Sequence, residues 1–596
     1  MRRAHLSIGT AAGIASLVLL ASLAGACGKD RGTFDGPNEF GVDASTADSG
    51  ECPFQCSIDG RQVIRSCTGE VAETCSDEQA CGGARCQSPC GAAAADRSSN
   101  GCEFYFQMPR FTKAYVQSCY AAFIVNTSLQ PTEIALEYEG TRLDTSKALF
   151  AATPAGAALT PHVGPIPPGA SAILFVSDRK SAIGGGGSGG YVGCPEGSVS
   201  ALIADSEIGG TGIGSSFRLT ATAPVAISTM YPIGGAASYL SAATLLLPVA
   251  TWGKEHLIVN GWEMSRSGAP AAQIVASEDD TEVTILPKHD LQDGTTLKGS
   301  AAGVPVTYRL AKGQHLQLVQ DEELTGSIVS STKPTSIFGG HVCAEVPASG
   351  TACDILAQQL PAFEQWGSEY VAVGYRPRLG NEHEPMPYRI VAARDGTVLD
   401  YDPAIPPGAP TKLSAGEVVT FSAGTGDAFV VRSQDADHPF YLAAYMSGGG
   451  GNIYDPSSSF GGQGDPDFVN VVPSGQYLSS YSFYADPTYA ETSLVIVRAK
   501  SAGAFKDVWL ECAGNLGDFR PIGTRGEYEY RRVDLTRNHG PGEAFGSSTC
   551  RSGLQRMRSE GPFTATLWGW DVYASYAHPG GMAQRRLVLT PMEPIR

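Results

Sequence analysis

Residues 328–375 read IVSSTKPTSIFGGHVCAEVPASGTACDILAQQLPAFEQWGSEYVAVGY, and the opening part of this stretch recurs along the chain. The strand, proline, strand piece at 330–340 has counterparts at 217–231 (FRLTATAPVAISTMY), 429–445 (FVVRSQDADHPFYLAAY) and 557–570 (MRSEGPFTATLWGW). Their prolines are Pro224, Pro334, Pro439 and Pro562, separated in turn by 110, 105 and 123 residues. Such a period is too long for a small solenoid repeat and suits whole β modules or large propeller blades. The expected fold is all-β: four repeated units of roughly 110 residues, forming either tandem β-sandwich-like modules or a large-bladed, propeller-like ring. The units are expected at 103–243, 244–355, 356–467 and 468–596, together making a repeat region 103–596.

Within each unit the sequence predicts a leading strand before a proline, two hairpins, and the recurring piece as the exit. Leading strands are read at 103–109 (EFYFQMP), 244–248 (TLLLP), 356–361 (LAQQLP), 468–473 (FVNVVP) and, as a surplus fifth at the C terminus, 587–591 (LVLTP). The first hairpin is plainest at 388–401 (YRIVAARDGTVLDY), where Asp395-Gly396 supplies a tight turn, and again at 274–286. The second is read at 166–176, 308–319 and 411–421, each turning at glycine, with alternation that turns one face inward. Trp252-Gly253 and Trp366-Gly367 read as buried corners between units. The glycine-rich loops 184–190 and 448–460 are expected to be mobile, and the 343–353 segment occupies the edge equivalent to the latter. Loops gathered on one rim of a rigid scaffold are where binding usually resides.

Several of these segments resemble the IgGFc-binding protein N-terminal domain family. The resemblance is carried by GTGIGSSFR (210–218), PVAISTMYPIGG (224–235), LLLPVATWGKEH (245–256), VASEDDTEVTI (275–285) and GHVCAEVPASGTACDILAQQLP (340–361), covering roughly residues 205–380. WGWDVYASYAHPGG (568–581) looks like the family's closing motif. The resemblance implies macromolecular binding outside the cell. It assigns no ligand-binding residue, and the antibody ligand in the family name is not carried over with it.

The N terminus has Arg2 and Arg3, an apolar run from about residue 11 to 23, and AGAC ending at Cys27, which is the layout of a bacterial export signal at 1–26. Small residues running into Cys27 resemble a lipobox, so Cys27 is expected to carry lipid, with residues 27–51 forming a flexible tether. Removing Cys27 from the 15 cysteines leaves an even number for pairing in an oxidising compartment. Eight of them, Cys52, Cys56, Cys67, Cys75, Cys81, Cys86, Cys90 and Cys102, make a disulfide-rich module at 52–102. It has too few apolar residues for a core of its own, and its spacings contain no CxxC pair to suggest zinc. The other six are expected to pair locally, Cys119 with Cys194, Cys343 with Cys353, and Cys512 with Cys550.

Candidate chemistry is thin. Residues 186–190 match GxSxG without the strand and helix that a nucleophile elbow needs, and 209–214 (GGTGIG) lacks the helix of a phosphate cradle. Acidic clusters at 278–280, 321–323 and 465–467 have no calcium-loop spacing and read as solvated turns. His341 beside Cys343 could suggest a nucleophile pair, but no third orienting group is identifiable. No enzyme activity, metal or cofactor is expected. The net charge of −18, or −20 once Arg2 and Arg3 are cut away, repels phosphate backbones and argues against nucleic acid.

The expected function is that of a lipid-anchored extracytoplasmic binding or adhesion protein on a bacterial outer membrane or cell surface. It would recognise a surface protein or glycan through rim loops. The alternatives are a structural component of a surface assembly, joined through exposed strand edges such as 587–591, and an exported hydrolase.

Overall fold

The computed structural model describes residues 52–595 apart from 114–116, 153–158, 180–190, 236–239, 455–456 and 458. The export signal, Cys27, the tether and the 184–190 loop lie outside the described residues. Among the described residues there is one α-helix, Pro89–Asp96, and the body is built from strands.

Proline sets the architecture. Phe217–Tyr231, Ile328–Ala344 and Gly553–Asp571 are single long strands, and Phe429–Ser433 with Phe440–Met446 form an interrupted fourth. Proline has no N–H to give a ladder, so at these prolines the strand leaves one sheet and bends into another. Before Pro224 the first long strand pairs with Gly101–Phe106 and Ile134–Tyr138; beyond it, with Tyr120–Asn126 and Ala242–Leu245. The second passes in the same way from Gly253–Leu257 and Thr281–Leu286 to Pro270–Ala276 and Asp354–Leu360. The third passes from Glu369–Ala372 and Thr397–Asp402 to Pro385–Ala392 and Asp467–Asn470. The last passes from Leu478–Ala485 and Val508–Leu510 to Glu491–Ala499 and Ala574–Pro579. Each long strand therefore belongs to two sheets that face one another.

This topology corrects the two hairpins. Pro270–Ala276 and Thr281–Leu286 are consecutive but do not pair; they lie in opposite sheets, as do Pro385–Ala392 and Thr397–Asp402 across the Asp395-Gly396 turn. Val306–Leu310 and Gln314–Val319 are likewise split between sheets. Both connections are arches. Alternating burial in Thr281–Leu286 shows that one face is inward, which an arch satisfies as well as a hairpin does.

A second correction concerns the leading strands. Ala242–Leu245, Asp354–Leu360 and Asp467–Asn470 pair with the long strand that precedes them, so they close a sheet rather than open the next. The fourth member of this set is Ala574–Pro579. Residues 587–591 form no strand; Leu587 and Val588 donate their N–H groups to the Glu364 carbonyl, and Val588 is buried. They therefore offer no free edge for assembly.

The four closing strands pack in a circuit: Ala242–Leu245 lies against Asp354–Leu360 and Ala574–Pro579, and Asp467–Asn470 lies against the same two. Side chains stitch it. The Gln358 amide donates to the carbonyls of Ala243 (2.8 Å) and Ala577 (2.9 Å), and the Asn470 amide to that of Gln359 (2.9 Å). The hydrophobic cores follow the circuit, each shared with a neighbouring unit. Phe123 and Ile173 pack with Tyr484 and Ile496, Ala271 and Phe338 with Phe106, Tyr441 and Phe468 with Trp366, and Val495 and Trp568 with Tyr388. The closing strands thus form a ring, while each long strand still spans two facing sheets as a sandwich does.

At the far end of the closing strands come the tryptophan corners. The Trp252 and Trp366 indoles are buried and donate to the carbonyls of Leu247 (3.0 Å) and Pro361 (3.2 Å), before and at the corner prolines. Their glycines face the next corner round the ring. A Cβ on Gly253 would come within 2.5 Å of Ala362, and one on Gly367 within 2.3 Å of Pro473.

The ring shuts where residues 97–99 meet residues 582–584. Ser99 N–H donates to the Met582 carbonyl and Gln584 N–H to the Arg97 carbonyl, while the Arg97 guanidinium donates to the Gln584 carbonyl (2.9 Å). The following residues run on to Glu364, Glu255 and Arg394.

Residues 52–102 hold Cys52–Cys67, Cys56–Cys81, Cys75–Cys86 and Cys90–Cys102, the last tying the helix to the first strand of the body. Cys119–Cys194, Cys343–Cys353 and Cys512–Cys550 are the remaining disulfides.

Candidate binding rim

Each long strand hands over to its closing strand at one end of the ring, between Tyr231 and Ala242, Ala344 and Asp354, Met446 and Asp467, and Asp571 and Ala574. The 447–466 connection grips both neighbours. On one side Thr351 N–H donates to the Gly451 carbonyl (3.0 Å) and Ile453 N–H to that of Ser349 (2.9 Å). On the other, Gly464 N–H donates to the Asp571 carbonyl and Tyr573 N–H to that of Gly462, both at 2.8 Å.

Arg378 clamps the base of this loop. Its guanidinium is fully buried, pairs with Glu384 (2.7 Å), and donates to the carbonyls of Ser447 (2.7 Å) and Gln463 (2.9 Å) and to the Ser447 hydroxyl (2.9 Å). Phe460 stacks on it with its ring centre 3.7 Å from the guanidinium carbon. The described part of the 448–460 segment is thus held at both ends, which corrects the expectation of a mobile loop. Glycine content marked the loop, but the arginine that fastens it lies about 70 residues earlier in sequence and across the fold.

Among the described residues, the rim carries apolar side chains that are exposed. Tyr454 is 84% exposed, with Ile453 and Val572 also exposed and Tyr573 partly so. Tyr573 holds a φ of +48°, a conformation rare for a non-glycine residue, and its ring lies against Gly462.

Beneath the rim, where the closing strands begin, three carboxylates are buried: Asp354, Asp465 and Asp467 are each no more than 1% exposed. Asp354 Oδ1 accepts from Ile355 N–H (3.0 Å), and Oδ2 lies 3.2 Å from the Ser241 hydroxyl, whose proton is better placed toward the Ser575 carbonyl at 2.7 Å. Asp467 Oδ1 accepts from Phe468 N–H (2.7 Å), but Asp467 Oδ2 and Asp465 Oδ1 have no hydrogen-bond partner. Burial, with Asp465 and Asp467 facing it, pushes the Asp354 carboxyl well above the usual carboxylate range; burial does the same to Asp465 and Asp467. The 465–467 cluster is therefore not a solvated turn, whereas Glu278, Asp279 and Asp280 are exposed.

The catalytic candidates disperse. Cys343 is in a disulfide, and both His341 ring nitrogens are engaged, Nε2 with the Glu263 carbonyl (3.0 Å) and Nδ1 accepting from Cys343 N–H (3.2 Å). Burial pulls His341 and His256 each down to about 4, so both are neutral. Gly212–Ser215 is a strand paired with 314–317, and His315 occupies the space beside Gly214, which leaves no phosphate cradle there.

A family described as IgGFc binding protein matches residues 242–569, from the first closing strand to near the end of the last long strand. The chain belongs to this family. The match starts later than the sequence resemblance at 205 and runs far beyond 380, taking in Arg378, the three buried aspartates and the rim from 345 to 466. Human IgGFc-binding protein is 24% identical over 362 residues, which are 59% of this chain. The chain spans about 6% of the human protein's length. No solved structure matches.

Proposed function

We propose that the chain is an extracytoplasmic binding protein that recognises a protein or glycan through the rim. The observation that carries this reading is a set of exposed apolar side chains on loops fixed by a buried arginine and by their neighbours. Rigid aromatic anchors on a preorganised surface bind without a large ordering cost. Family membership supports a protein ligand, and the human relative's name makes antibody Fc one bait to include beside host and neighbour-cell surface material. Disulfides through the body support an oxidising compartment.

The test is capture by the intact mature chain and by a Tyr454→Ser, Tyr573→Gly variant; glycine suits the positive φ, so the fold is kept. Two such anchors at about 2 kcal/mol each predict a loss of capture of several hundredfold at an unchanged melting temperature. Equal capture by the variant would sink the rim as the binding surface, and recovery of the chain alone would favour self-assembly.

We further propose that Cys27 is lipidated and makes this a bacterial lipoprotein. The Cys27→Ser chain is then expected in the soluble fraction or the medium. Persistence of the full population in membranes would refute the anchor.

A further inference from the structure

We propose that the occupant of the rim is a polypeptide whose own contact patch is apolar and uncharged, rather than a glycan or a charged partner; this rests on the rim being the binding surface. The surface is continuous across three units. The Tyr573 ring lies against Gly450 and Gly462, Thr351 N–H donates to the Gly451 carbonyl, and Ile453 N–H donates to that of Ser349, so residues 349–351, 450–454, 462 and 572–573 share one face.

Charge is missing from its centre. Between the long strands and their closing strands the charged residues are Glu345, Asp455 and Asp465; Glu345 and Asp465 are each 1% exposed, and Asp455 lies outside the described residues. The described centre therefore presents Tyr454, Tyr573, Ile453 and Val572 among glycine, serine, threonine and asparagine, in a chain of which 17% is charged. Charged and titratable side chains stand at the margin: half-exposed Arg266 donates to the Gly350 carbonyl (2.6 Å), and exposed His539 faces Asp571 (3.4 Å). A charge-depleted aromatic centre within a polar margin is the anatomy of a protein–protein contact. Tyrosine among serine, glycine and asparagine is also the composition of antibody paratopes, where the ring gives wide contact at little entropy cost.

A sugar needs a different surface. Its hydroxyls both donate and accept, and they are held by exposed carboxylates and amides. Here the Asn452 amide is spent within the rim, donating to Ser349 Oγ (2.6 Å) and accepting from Tyr454 N–H (2.8 Å), while the Glu345 and Asp465 carboxylates are buried. The same bonds fix the backbone from which Tyr454 projects. With no charge at the centre, salt has little to screen.

A phage-displayed library of random peptides is selected on the intact mature chain and counter-selected on the Tyr454→Ser, Tyr573→Gly variant, and an array of glycans is probed in parallel. Tyr454→Ser alone is the second variant, because a side chain 84% exposed adds little to the fold. The expected peptides bind the intact chain at least about tenfold better than either variant and are poor in Asp, Glu, Lys and Arg. Their capture should hold within about twofold when salt is raised about tenfold. Variant-sensitive peptides that are rich in charge and released by salt, or variant-sensitive binding to glycans alone, would overturn the uncharged polypeptide partner and leave the rim as the binding surface. If neither probe shows binding that the variants lose, the rim itself fails, and this inference with it.

Discussion

A chain ending at Pro579 is expected to lose the closed ring. Residues 582–595 supply the pairing of Met582 and Gln584 with residues 97–99, and they bury Met582, Ala583, Val588 and Met592. Burying a methionine or valine side chain is worth about 1.5–3 kcal/mol, so the apolar loss alone is on the order of 5 kcal/mol, comparable to the whole stability of an ordinary domain. The buried Gln476 amide, which donates to the Arg585 carbonyl (2.8 Å), would also lose a partner. The truncated chain should melt well below the full-length one and exchange its backbone amides fastest in Gly101–Phe106 and Ala574–Pro579. Equal melting and protection would show that the first and last units hold together without the clasp.

Arg378→Met is the second large effect. Removing one partner of a buried, hydrogen-bonded ion pair costs about 3–5 kcal/mol, because the remaining charge, here Glu384, is left uncompensated. The pair variant Arg378→Met, Glu384→Gln should recover part of that loss in urea unfolding. It should not recover the loop: the carbonyls of Ser447 and Gln463 lose their donor in both variants, so limited proteolysis should open the 447–464 segment in each. Ligand capture is expected to fall as well, although Arg378 is buried and cannot reach a ligand. Resistance of the segment to protease in both variants would refute the clamp.

The all-strand fold and its repeating prolines could be read in the sequence because a residue without an N–H interrupts a ladder wherever it falls. Which strands pair could not. The alternation in 281–286 records a buried face and not a neighbour, so arches and hairpins write the same pattern, and TLLLP reads equally well as the start of one sheet or the end of another. Leu587 to Pro591 has strand composition, but its N–H groups are satisfied by Glu364 outside any ladder. At the candidate site, the glycine loops and the 343–353 segment marked the rim, while Arg378 and Asp354 went unseen and Asp465 and Asp467 read as a solvated turn. One signal was available for the aspartates: Asp354 and Asp467 each stand directly before an apolar strand, where a solvated turn would have placed a polar spacer.

The seam between residues 97–99 and 582–584 lies beyond the corner prolines, and the rim lies at the opposite ends of the same closing strands. Asp354–Leu360 alone spans about 20 Å between these two poles at roughly 3.3 Å per residue. Within the described residues, the segment that leads into the ring and the segment that shuts it therefore meet at one pole, and the rim occupies the other. A partner seated on Tyr454 and Tyr573 would therefore leave the seam untouched, and the two poles can be altered independently.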